Sequence, residues 1–310
     1  MNTSRVFAHI VALATIVVWG TTFIATKILL STFSPIEILM IRFIMGLLGL
    51  AVLDRLTRSN QETPRPSWRQ ELLFAGAGLT GVGMYYLLEN VALTMTYASN
   101  VGILVSIAPL TTALLAPFLL REEPVKATIL IGFIIASVGV AFVMFNGAVD
   151  VKLSLRGDLL ALCSTLGWAF YSIILRKIDT KRFRVVTYTK KIFFYGVVCM
   201  LPFTLTGEFS LQSSDFTFQN TILLIFLGLG ASAACFVSWN HAVKILGVFR
   251  TSAYIYLTPL VSLITAAIVL DEPITFMAVS GCLLILAGLY LSERKSMLKV
   301  PDLLQPENSV

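Results

Sequence analysis

The sequence predicts an all-α integral membrane protein whose ten transmembrane helices form two inverted five-helix repeats, with both termini cytoplasmic. Composition is the first reason: 57% hydrophobic residues and a mean hydropathy of +0.86 over 310 positions exceed what a soluble core of this size can hide. The second is that apolar runs of roughly 18 to 22 residues recur along the chain, each about long enough to cross a hydrocarbon core about 30 Å thick. The third is an internal echo, in which motifs of the first half return near 150 residues later.

Taken in order, the spans are 8–30, 36–53, 72–93, 98–119, 127–146, 158–176, 191–206, 220–241, 249–270 and 275–292. The first run is long enough to span and has no small-residue cleavage site after it, so it is expected to stay as a helix. The second and third contain the rare intramembrane charges Arg42 and Glu89, with 54–71 between them a polar connector carrying Pro64 and Pro66. Pro109 and Pro259 fall within the fourth and ninth spans and predict kinks there. Gly132 with Gly139 in the fifth span, and Gly281 with Gly288 in the tenth, are seven residues apart on one helix face and predict close approach of a neighbour. The seventh span is the least apolar, and the tail from 293 is expected to be disordered.

Orientation follows from Lys and Arg, which accumulate in cytoplasmic loops. With the amino terminus inside, 19 of 23 basic residues lie on the cytoplasmic side; Lys152 and Arg156 lie outside, and Lys27 and Arg42 lie within spans.

The echo is detailed. "NVAL" at 90–93 matches "NHAV" at 240–243, Pro109 matches Pro259, and "REEP" at 121–124 matches "LDEP" at 270–273. Trp19 with Lys27 matches Trp168 with Arg176 at an offset of 149. Five spans per repeat is an odd number, so the second copy enters the membrane from the opposite face. The repeats are placed at 1–149 and 150–292, with 293–310 as the tail. Each acidic pair before a proline is expected at the positive amino-terminal end of the helix that follows it.

"WGTTFIATK" at 19–27, "ALTMTYASN" at 92–100, "IAPLTTALLAPFLLREEP" at 107–124, "GWAFYSIILRK" at 167–177 and "LTPLVSLITAAIVLDEP" at 257–273, in this order and doubled spacing, resemble the drug/metabolite transporter superfamily, EamA type. The resemblance implies a plasma-membrane carrier of small organic solutes, often an exporter of amino acids or other metabolites, with a central cavity from which the fifth and tenth helices stand apart. It implies the inner membrane of a bacterium.

Candidate site residues come from polarity in lipid. Intramembrane charges are costly and usually face an interior, which selects Lys27, Arg42 and Glu89: Glu89 pairs with either cation or exchanges a proton, and a freed cation meets an anionic solute group. A static ion pair or snorkelling is the structural alternative. Aromatics form the second set: Trp19 with Phe23, Trp168 with Tyr171, and Tyr85, Tyr86, Tyr254 and Tyr256, which wall a cavity for amphipathic solutes or simply pack. Repeat two does not keep the charges, since Trp239 stands opposite Glu89 and Ile192 opposite Arg42.

A secondary carrier working by alternating access is therefore expected, with a membrane-embedded lipid enzyme or a passive channel as alternatives. Only His9 and His241 supply imidazole and neither has a catalytic partner in sequence, so no enzyme activity is expected. Four cysteines without ligand spacing and the absence of a Walker, EF-hand or zinc motif predict no metal and no cofactor. The expected partners are a small-molecule solute, the bilayer and a proton as coupling ion. Nucleic acid is not expected, and the chain is monomeric or homodimeric.

Overall fold

The computed structural model describes residues 3–57, 65–120, 127–144, 155–178, 182–205, 209–246, 251 and 253–297. Among these residues there is no strand. The helices are α1 (Thr3–Leu29), α2 (Pro35–Leu56), α3 (Trp68–Met95), α4 (Ala98–Leu120), α5 (Ala127–Met144), α6 (Leu155–Lys177), α7 (Val185–Met200), α8 (Phe218–Leu246), α9 (Thr258–Val269) and α10 (Phe276–Met297). Six of them, α1, α2, α3, α4, α6 and α8, are long and apolar enough to span a bilayer; 130–143, 258–269 and 276–291 are shorter apolar stretches. Large side chains such as Leu48, Phe118, Ile134 and Phe276 are exposed on the outer surface, as expected where the solvent is hydrocarbon.

Helix starts follow local sequence. Ser34 caps α2 and closes a capping box with Glu37, with Pro35 opening the first turn. Ser67 caps α3 and Thr217 caps α8. α10 continues to Met297, five residues into the stretch expected to be a disordered tail, because its ladder propagates through Glu293–Met297, all good helix formers except the serine. The 121–124 motif and the tail beyond 297 lie outside the described residues.

Two features went unanticipated. α3 and α8 each widen into a π-helical segment, Leu79–Met84 and Phe226–Ala234, which end at equivalent positions 150 residues apart. At the two prolines the helical path is interrupted just upstream. Pro109 and Pro259 are each the second residue of a new helix, starting at Ala108 and Thr258, because proline lacks the N–H that the first turn leaves unpaired anyway. α4 is thus broken at Ser106–Ile107, and α9 is preceded by a 3₁₀ turn, Ala253–Leu257.

The repeats meet through like residues. Phe43 and Phe193, equivalent at an offset of 150, pack edge to face with centroids 5.2 Å apart, and Tyr86 meets its mate Phe236 at 6.5 Å. Contacts between equal positions are the mark of a two-fold relation. α5 and α10 form a separate pair. A Cβ on Gly139 would lie 2.6 Å from the Gly281 carbonyl oxygen, and one on Gly288 would lie 2.4 Å from that of Gly132. The expected close approach is therefore between these two helices themselves.

Candidate functional site

A cavity lies at the centre of the bundle, where the break in α4 and the start of α9 face α1, α3 and α6. Trp19 and Phe23 line it from α1, Tyr85, Tyr86 and Glu89 from α3, and Trp168 from α6. Ser106 and Ala108 contribute from the α4 break, and Ile255 and Thr258 from the entry to α9. No described lining residue belongs to α5 or α10. The cavity volume is about 50 Å³, room for about three ordered waters. Ligand pockets are usually about 300–1,000 Å³, so the helices must separate before an organic solute fits.

The aromatic wall is held by ring packing and one hydrogen bond. Trp19 touches Trp168, Phe236 and Trp239 at centroid distances of 5.8, 5.4 and 5.2 Å. Its indole Nε1–H donates to the Ala231 carbonyl at 2.9 Å. Ala231 lies in the π-helical segment of α8, where the wider turn turns a carbonyl away from the regular ladder. Tyr85 begins the α-helix immediately after the π segment of α3 and packs on Tyr86 and Trp168. Each such aromatic pair contributes about 0.5–1.5 kcal/mol beyond its buried area.

Among the described lining residues Glu89 is the single charged one; it is 1% exposed, and its Oε1 has no hydrogen-bond partner. Arg42 stands one row behind it. Its Nε donates to Ser232 Oγ at 2.7 Å, its guanidinium lies 4.4 Å from the Tyr86 ring centroid, and Nη1 and Nη2 are buried without partners. Stacking of a desolvated guanidinium on an aromatic face is worth about 2 kcal/mol. Arg42 is within electrostatic reach of Glu89.

Other expected residues lie elsewhere. Lys27 is not brought to Glu89: its Nζ donates to the carbonyl oxygens of Leu93 and Thr96, the latter at 2.7 Å, and so satisfies the negative carboxyl end of α3. Tyr171 is fully buried behind Trp168, 5.3 Å away, rather than in the lining. Tyr254 bonds His9 Nδ1 through its hydroxyl at 2.6 Å, joining the start of α1 to the turn before α9. The side chain of Tyr256 lies outside the described residues. Pro109 and Pro259 sit beside the cavity, next to the lining residues Ala108 and Thr258.

Glu272 corrects the reading of the acidic–proline hairpin. It does not sit on the helix that follows it. Its Oε1 accepts from Ala98 N at 2.8 Å and its Oε2 from Ser99 N and Ser99 Oγ at 3.0 and 2.6 Å, so it caps α4 of the other repeat. Asp271 before it adopts a left-handed backbone, φ 54°, which turns the chain toward α4.

The sequence reading also missed Phe236 and Trp239, which pack behind Trp19, and Ala231 and Ser232, which accept from Trp19 and Arg42. The signal was present in the small-residue runs "LTGVG" and "LGLGASAA", which occupy like positions in the two repeats. Nothing in helical periodicity announces a π turn.

The profile of the EamA-like transporter family matches residues 6–145 and again 155–294. The chain belongs to the EamA-like transporter family. An archaeal relative named an uncharacterized transporter, from Archaeoglobus fulgidus, is 27% identical over 93% of this EamA chain and 97% of its own length. A probable terminal-alkyne amino-acid exporter of Streptantibioticus cattleyicolor is 26% identical over 91% and 92%. Uncharacterized transporter YyaM of Bacillus subtilis is 25% identical over 94% of both chains. A crystal structure that is 19% identical superimposes with a TM-score of 0.65, covering 94% of this chain and 98% of the other, and so shares the fold. A multi-pass membrane transporter is what family and helices together establish.

Proposed function

We propose that this EamA protein is a secondary carrier that moves a small amphipathic metabolite, an amino acid or a similar solute, out across a bacterial inner membrane by alternating access. The observation that carries the reading is the central cavity, built from both repeats, walled by aromatic rings and provided with one carboxylate. Its present size admits water but not an organic solute, which suits a closed step of an alternating cycle. In this reading ten spans form two inverted halves, 1–149 and 150–292, with both termini cytoplasmic. Glu89 meets the cationic group of the solute or exchanges it for a proton, and Arg42 behind Tyr86 answers the anionic end when the wall moves. The amino-acid class draws support from the name of one relative.

The test is thermal unfolding of the detergent-purified protein against amino acids, nucleosides, sugars and aromatic cations, since a ligand that binds only the folded state raises Tm. A selective shift with one amphipathic class, lost in Trp19→Ala and in Trp168→Ala, is expected. A shift confined to lipids, or one that survives both substitutions, would overturn the reading.

A further inference from the structure

At the end of the bundle that the charge pattern assigns to the outside, three helices converge on one hydroxyl. Thr96 Oγ1, at the end of α3, donates to Asp158 Oδ1 of α6 at 2.7 Å and accepts from Asn100 Nδ2 of α4 at 3.4 Å. Asp158 and Asn100 are both 0% exposed, and one oxygen of each, Asp158 Oδ2 and Asn100 Oδ1, lacks a partner. Gly157 makes this burial feasible: a Cβ there would lie 2.8 Å from Met95 Cβ, so only glycine lets the start of α6 press on the end of α3.

Among the described residues, the charged groups nearest Asp158 are engaged elsewhere or exposed. Lys27 is held by the carbonyl oxygens of Leu93 and Thr96, Glu272 is held by Ala98 and Ser99, and Arg156 is exposed. A fully buried carboxylate with one oxygen unpartnered is unfavourable unless something neutralises it. One proton on Asp158 Oδ2 removes the charge.

Resting on the carrier reading, we propose that Asp158 is a proton-binding site, separate from Glu89 in the cavity, and that its proton holds the outer end closed. When α6 parts from α3 and α4, water reaches Oδ2, the O–H bond breaks, the proton passes to water and the carboxylate is left hydrated. Closure requires the reverse. The equivalent position of the first repeat, 149 residues earlier, is also titratable: His9, bonded to Tyr254 at the other end of the bundle.

Infrared difference spectra of the full chain in lipid nanodiscs, between acid and alkaline buffer, test this directly. A carbonyl-stretch band of a protonated carboxyl that titrates with pH, is lost in Asp158→Asn and persists in Glu89→Gln, is expected. If Asp158→Asn does not fold, Thr96→Val keeps the carboxyl, removes the donor to its Oδ1 and displaces the midpoint of the band. The absence of such a band, its persistence in Asp158→Asn, or an unchanged midpoint in Thr96→Val would overturn the proposal. So would a sodium-specific rise in Tm that disappears in Asp158→Asn, which would make the ion a metal cation. The band does not depend on any solute, so failure of the carrier reading leaves this result separately legible.

Discussion

Trp19 and Trp168 occupy the same position in the two repeats, and their rings meet edge to face, 5.8 Å apart at 85°. Each is a wall of the cavity. A two-fold relation between the halves therefore passes close to the site.

Trp19→Phe keeps a ring in the wall but leaves the Ala231 carbonyl without its donor. An expected loss of about 1 kcal/mol in stability follows, read as a lower Tm, while a solute-induced shift is retained. Trp19→Ala also opens a void and is expected to cost about 3–5 kcal/mol.

Glu272 ties the hairpin before α10 to the first turn of α4 through three donors. Glu272→Ala is expected to destabilise by about 1–3 kcal/mol, and Glu272→Gln, which keeps one acceptor, by less. Combining Glu272→Ala with Ser99→Ala should give less than the sum of the single losses, since the two substitutions share a bond. Thermal unfolding of the four proteins checks this.

Gly288→Val would drive a side chain into the Gly132 carbonyl of α5, whose backbone has nowhere to give. Overpacking of about 1–3 kcal/mol is expected to lower Tm and the monodisperse yield. Because neither helix lines the cavity, the increment in Tm produced by a bound solute is expected to stay as in the unmodified protein.

Glu89→Gln tests coupling. The groups that face Glu89 are Tyr85 on its own helix and Arg42 on α2, with the other lining side chains uncharged. One charge moving through 100 mV supplies about 2.3 kcal/mol, a solute gradient of about fiftyfold. In proteoliposomes the substitution is expected to collapse that gradient while downhill exchange continues. Loss of both activities in a folded protein would place Glu89 in solute binding alone.

Much of this was readable along the chain. Apolar run lengths mark the helices because lipid requires each backbone group to be satisfied within its own segment. The offset of 149 to 150 residues links Trp19 to Trp168 and Pro109 to Pro259 because each repeat is the same packing unit. Partners across the bundle were harder to read. Lys27 and Glu89 look like an ion pair in sequence, but helix ends offer carbonyl oxygens that compete for an ammonium, and Lys27 is held by those. Asp158 looks like an ordinary first-turn acid, and its burial depends on Gly157 touching α3 from 62 residues away in sequence.

By itself the sequence determined that the chain lives in lipid, where its helices fall, and that two like halves surround whatever it handles, because hydropathy and periodicity are properties of one segment at a time. Tertiary structure alone decided which half caps the other through Glu272, which aromatic rings reach the centre, and which of the buried charges faces the cavity. Those depend on contacts between residues far apart in the chain, such as Ala98 and Glu272, 174 positions apart, and helix packing fixes them through glycine contacts, π turns and carbonyl directions that no local pattern encodes.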